Sequence, residues 1–194
     1  QDGRAILSAF IGDLEHPEVL HDYRRQLDFY RRLFDFNPDC IAIDQHPEYL
    51  CSHLGRQLAQ TENIAVHSVQ HHHAHIAACM AEHGLPLNTG PVVGIAFDGS
   101  GFCAPDSLWG GEFLLADYRH FQRLAALPSV PLLGGAQAIR QPWRNTYAQL
   151  CYYFDWQQLC RQFSDVDIIR FLRSKPLSPF DSMLAANTNI AANR

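Results

Sequence analysis

The sequence has a single lysine, Lys175, beside fourteen arginines, and only two methionines. Its apolar residues never gather into a run near the roughly 18 residues that a membrane-spanning helix needs, so a bilayer is not expected as its environment. Acidic residues outnumber basic ones by 20 to 15, for a net charge of −5, and the arginines are scattered. A broad basic face that could follow a phosphate backbone is therefore missing, and nucleic acid is not an expected partner. The six cysteines, at 40, 51, 79, 103, 151 and 160, form no CxxC pair. Several stand in apolar or helical context, which suits buried reduced thiols of a cytoplasmic protein better than a disulfide frame. Signal-peptide pattern, internal repeat and low-complexity tract are all absent. The length allows one or two compact lobes, each with a core.

Against this background the histidines stand out: four of the eleven lie within the five residues His71–His75. The apolar positions Ala74, Ile76, Ala77, Ala78, Cys79 and Met80 predict a helix, which puts His71 and His75 one turn apart on one face. Two imidazoles at that spacing can converge on one divalent ion. His72 and His73 point elsewhere. A tag scar would sit at a terminus, whereas this cluster lies between two good elements, so a metal site is the better reading. The zinc-peptidase pattern HExxH is absent, since no Glu stands between the pair.

A second segment runs from Asp98 to Phe113. Val92–Phe97 reads as a strand, Asp98-Gly99-Ser100-Gly101 as a turn, and Trp109–Tyr118 as a returning strand. Glycines at 99 and 101 let backbone N–H groups approach an anion. Asp98, at the strand's end, can supply a third ligand or orient a water. DGSG alone is weak evidence, but Gly110, Gly111 and Glu112 follow, and Gly134-Gly135 lies further on. Repeated glycines at strand ends favour a nucleotide site over an ordinary hairpin.

The coarse pattern alternates strands and helices, which predicts an α/β fold of βαβ type. The reading is strand 5–11, helix 17–34, strand 40–44, helix 48–60, strand 64–69 and helix 74–82. After a turn-rich link at 86–91 come the Asp98 hairpin, a candidate strand at 124–127 and a helix over 138–153 with Pro142 in its first turn. The pattern beyond Trp156 is helical but weak, and a poorly packed tail is expected there. Residues 1–85 and 91–194 form the two expected lobes. Asp44 and His46 could reach a ligand, but helix-entry turn chemistry with Pro47 at the first helical position accounts for them. Arg140 and Arg144 could face phosphate or solvent equally well. Trp109, Trp143 and Trp156 read as core or interface anchors.

Taken in order, the stretches LSAFIGDLEHPEVL, IAIDQHPEYLCSHLG, VQHHHAHIAACMAEHGL, IAFDGSGF with SLWGGEFL, and LLGGAQAIRQPWRN resemble the C-terminal carbamoyltransferase domain of the HypF hydrogenase-maturation family. The resemblance implies an actin-like, sugar-kinase-like ATPase fold, here truncated at both ends. It also implies a reaction: carbamoyl adenylate, made upstream from ATP and carbamoyl phosphate, gives its carbamoyl group to the C-terminal cysteine of a HypE-type acceptor. That thiocarboxamide becomes the cyanide ligand of nickel–iron hydrogenase. His71, His75 and Asp98 fall on the family's metal ligands and are the catalytic candidates. Gly99, Ser100, Gly101, Gly110, Gly111 and Glu112 fall in the phosphate-facing region, and Gly134 and Gly135 in the nucleotide-binding turn.

The sequence departs from the family at Cys103, where a glycine is usual, and at Ala136, where an acidic residue is usual. It also stops before the family's GRLFDA helix and SGG loop, and begins after the first phosphate loop. The piece alone is expected to hold metal weakly, bind ATP poorly and transfer nothing. Two alternatives are a transferase forming threonylcarbamoyladenosine on tRNA, and a non-catalytic metal-binding docking scaffold. Two imidazoles and a carboxylate suit iron, zinc or manganese alike.

Overall fold

The structure is a computed structural model that describes residues 5–14, 16–104, 107–135, 137–186 and 190–191. The chain divides into two compact units, 1–75 and 76–194.

In the first unit, helix α1 (Pro17–Leu33) starts on a proline at its N-terminus, where the missing N–H is no loss, and carries Arg31 and Arg32 in its last turn. Strand β1 (Cys40–Asp44), helix α2 (Leu50–Glu62) and strand β2 (Ala65–Val69) form a βαβ unit in which the strands pair parallel, from Cys40 opposite Ala65 to Asp44 opposite Val69. Helix α2 lies close on β1, since a Cβ at Gly55 would come within 2.6 Å of Ile43 Cγ2. It ends on Asn63, whose φ of 54° is the left-handed conformation that asparagine tolerates. Helix α1 buries no residue fully and is tied to α2 by a two-pronged pair, Arg31 Nη1 to Glu62 Oε1 at 2.5 Å and Nη2 to Oε2 at 3.0 Å.

Helix α3 (His71–Glu82) starts in the first unit and continues into the second. Strands β3 (Val92–Ala104), β4 (Ser107–Ala116) and β5 (Phe121–Ala126) form an antiparallel sheet in the order β3-β4-β5. Ile76 and Met80 of α3 form one core with Ala96, Trp109, Leu114 and Ala116. Gly94 makes this packing possible, because a Cβ there would lie 2.6 Å from Ile76 Cγ1.

Strand β6 (Leu132–Leu133), helices α4 (Gln137–Arg140), α5 (Trp143–Tyr153), α6 (Trp156–Gln162), α7 (Asp167–Arg173) and α8 (Ser178–Ala186), and strand β7 (Ile190–Ala191) complete the second unit. Their core joins Val130, Leu133, Tyr147, Ala148, Leu172 and Phe180. The Tyr147 hydroxyl donates to Asp181, and burial first, then this bond, raises it well above the usual phenol range, so it remains a donor. Burial likewise pushes the Cys151 thiol up.

Four expectations are corrected. Residues 5–11 form no strand: Leu7 and Phe10 are exposed, and among the described residues no strand pairs with them. An extended apolar segment becomes a strand only when a partner takes its N–H and C=O groups. Residues 98–101 are not a turn, because β3 runs straight through them. The single helix expected over 138–153 is two, α4 and α5, broken at Gln141-Pro142, where a proline cannot donate to the preceding turn. Among the described residues beyond Trp156 the helices α6, α7 and α8 do pack, with Leu159, Ile169, Leu172 and Phe180 all buried.

Candidate metal centre and anion pocket

The histidine pair is built by the ends of β1 and β2. Because the two strands are parallel and in register, Asp44 and Val69 finish side by side, and Gln45 N–H extends the ladder to Val69 O at 3.1 Å. Helix α3 follows at once, so its first turn emerges next to Asp44. Buried Gln70 caps it: the side-chain Oε1 accepts from His73 N–H at 2.8 Å and the carbonyl from Ala74 N–H at 3.0 Å.

On that turn His71 and His75 bring their Nε2 atoms to 3.1 Å, with rings nearly perpendicular at 85°. Two ligands of one ion stand about this far apart when each metal–nitrogen bond is about 2.0–2.1 Å. Asp44 Oδ2 lies 2.6 Å from His71 Nδ1. A carboxylate only accepts, so Nδ1 carries the proton and Nε2 presents its lone pair outward, the arrangement of an oriented metal-bound histidine. Asp44 Oδ1 accepts from His46 N–H at 2.7 Å, so the turn role expected for Asp44 also holds. His72 and His73 are buried, with His72 Nδ1 3.4 Å from Gln70 Nε2, and neither shares the paired face. Asp98, the third expected ligand, belongs to β3 of the second unit.

Around Asp98 the β3–β4 ladder slips. Phe97 faces Gly111 and Gly101 faces Trp109, so residues 98–100 stand opposite Gly110 alone. Such a bulge re-aims the strand without ending it. Gly110 is needed there, since a Cβ would meet the Asp98 carbonyl oxygen at 3.2 Å. Gly111 leaves room for the Leu127 side chain, and its carbonyl accepts from Leu127 N–H at 2.8 Å. Glu112, only 2% exposed, is engaged by Arg123: Nε meets Oε2 at 2.6 Å and Nη2 meets Oε1 at 3.1 Å. The Arg123 guanidinium lies 4.4 Å over the Trp109 ring. A cavity of about 250 Å³ opens here, lined by Asp98, Gly110, Gly111, Arg123, Asn145 and Gln149 among others.

Gly134 and Gly135, with φ of 79° and 58°, form the tight turn after β6. Arg144 braces it by donating from Nη1 to Leu133 O at 3.1 Å, and a Cβ on Gly134 would overlap that guanidinium. Arg140 ends α4 and Arg144 stands in α5, so the two are not on one continuous helix. The side chains of Ser100 and Cys103, and Ala136 as a whole, lie outside the described residues. Reasoning from sequence missed Asp44 as the support of His71 and Arg123 as the partner of Glu112.

Residues 1–82 match the family described as the HypF Kae1-like domain, and residues 94–192 the family described as the carbamoyltransferase Kae1-like domain, second subdomain. The chain belongs to the HypF carbamoyltransferase family. It is 38% identical over 148 residues to carbamoyltransferase HypF of Rhodobacter capsulatus, covering 76% of this chain and 20% of that protein. To HypF of a Synechocystis species it is 39% identical over 150 residues, covering 77% and 19%. A crystal structure of full-length HypF in a phosphate- and nucleotide-bound form superposes with a TM-score of 0.67 at 33% identity, over 95% of this chain and 22% of that one. The crystal structure of T. kodakarensis HypF gives 0.64 at 28% identity, over 95% and 25%. The chain thus spans about a fifth of the length of its curated HypF relatives. Its mixed α/β architecture is shared with these HypF structures. Among the described residues no helix is long and apolar enough to cross a membrane.

Proposed function

We propose that this chain is the carbamoyl-transfer portion of a HypF-type enzyme, arranged as two lobes of an actin-like fold. Convergence of the His71 and His75 Nε2 atoms, with Asp44 behind His71, carries the proposal. His71 and His75 offer two imidazoles, and the family resemblance adds the Asp98 carboxylate, a donor set that suits a divalent iron or zinc ion. Such an ion, when bound, stabilises negative charge developing on an acyl phosphate.

The remaining roles fall to the chain itself. Asp44 keeps His71 in the tautomer that leaves Nε2 free. Backbone amides of Gly99, Gly101 and Gly111 face the phosphate of carbamoyl adenylate, Gly110 N–H being taken by Glu112 Oε1 at 3.3 Å, and the Gly134-Gly135 turn holds the nucleotide. The nucleophile comes from outside: the thiolate of a HypE-type C-terminal cysteine attacks the carbamoyl carbon, the carbon–oxygen bond to AMP breaks, and AMP leaves with the electron pair. Carbamoyl adenylate would come from an upstream domain of the same polypeptide.

X-ray absorption at the iron and zinc edges tests the centre. Nitrogen scatterers from two imidazoles are expected in this chain, and their loss in His71→Ala. A metal spectrum unchanged by that substitution would refute the assignment.

A further inference from the structure

The cavity beside Asp98 contains a group that nothing above employs. The Oδ1 atom of Asn145 is buried and has no hydrogen-bond partner among the described residues. Asn145 stands in α5, one turn before Gln149, and both line the cavity with Asp98, Gly110 and Gly111. Gln149 is already committed, since its Nε2 donates to Pro128 O at 3.2 Å. Glu112 is likewise committed to Arg123. A buried carbonyl oxygen without a donor is destabilising, so a site that keeps one is suited to a ligand that brings the donor.

The cavity's size narrows the choice. At about 250 Å³ it falls below the roughly 300–1,000 Å³ of pockets that enclose a whole drug-sized ligand. It admits one end of a nucleotide-sized molecule. Of the parts of an acyl adenylate, the carbamoyl end has a primary amide nitrogen with two N–H donors on a small planar group, whereas the phosphate offers acceptors only. An unpaired acceptor fits the first and repels the second.

Resting on the carbamoyl-transfer reading, we propose that Asn145 is a specificity-determining residue: its Oδ1 accepts a hydrogen bond from the carbamoyl amino group of the bound acyl donor. The site selects an acyl group that ends in an amide nitrogen over one that ends in carbon. Selection of this kind is strong, because the wrong ligand leaves a buried polar group unpaired.

Two stable anions test this by NMR titration of the chain. Phosphonoacetamide carries the amide nitrogen; acetonylphosphonate is the same anion with a methyl group in its place. Wild type is expected to bind the amide about tenfold more tightly, the equivalent of one buried hydrogen bond. Asn145→Leu, of similar size, should lose that preference and keep its affinity for acetonylphosphonate, which also shows that it is folded. Asn145→Asp, which keeps the acceptor, should retain the preference. A preference that survives Asn145→Leu overturns the role of Asn145 and leaves the carbamoyl reading intact. Equal binding of the two anions by wild type, or no response at Asn145 to either at millimolar concentration, overturns both the role and the carbamoyl reading of this cavity.

Discussion

Asp44 Oδ2 sits 2.6 Å from His71 Nδ1, across 27 residues of sequence, and that contact fixes which nitrogen His71 offers to an ion. Supporting carboxylates of this kind are worth about 10–100-fold in metal affinity. Asp44→Asn should therefore weaken zinc binding by roughly that factor, and His71→Ala should weaken it further. Competition against a chromophoric chelator measures both. Equal affinity in Asp44→Asn and wild type would mean that Asp44 serves only the turn at His46.

Glu112, a candidate for binding the cofactor, has its carboxylate held by Arg123. Glu112→Gln should lower stability by about 2 kcal/mol, less than for a fully buried pair because the Arg123 side chain is 43% exposed. Zinc affinity at the histidines should not change. Urea unfolding and the chelator assay separate the two effects, and a stable variant with altered metal binding would contradict this role.

Gly94 and Ile76 should be energetically coupled. A methyl group at 94 meets the Ile76 side chain head-on, so Gly94→Ala should cost about 1–3 kcal/mol. Truncating Ile76 to alanine should cost less in that background than in wild type, and a double-mutant cycle gives the difference. Additive costs would show that the helix stands further from the sheet.

The Arg31–Glu62 pair should give the first unit an acid limit. The hydrogen bond from Arg31 holds the Glu62 carboxyl below the ordinary carboxylate range. A lowered folded-state value means a contribution fully present above the ordinary value, about 4.3, and lost as pH falls through the lowered one. Glu62→Gln should be less stable than wild type near neutrality, and the gap should close in acid. A gap independent of pH, by urea titration at each pH, would assign the loss to packing.

Much of this was legible in the sequence. Strand Cys40–Asp44 falls on the expected residues, and α1 and β2 lie within one residue of expectation at each end, because strong periodicity and Pro17 mark them. The His71–His75 convergence follows from helical spacing alone. Other features depend on partners that local pattern does not encode. Asp-Gly-Ser-Gly has the composition of a turn, yet pairing with β4 carries the strand through it as a bulge. Asp44 is fully explained by its own turn, and only the parallel register of β1 and β2 reveals its second contact. Residues 5–11 have an apolar pattern without a partner strand among the described residues, and a pattern alone does not make a strand.

Mass spectrometry of the acceptor cysteine tests the central claim most directly. A full-length HypF polypeptide carrying this sequence would be incubated with ATP, carbamoyl phosphate and a HypE-type acceptor, beside its His71→Ala and His75→Ala variants. The account predicts a thiocarboxamide on the C-terminal cysteine with wild type and its loss in both variants, while acceptor docking persists. Undiminished transfer by both variants, or modification of tRNA in place of the acceptor, would contradict it.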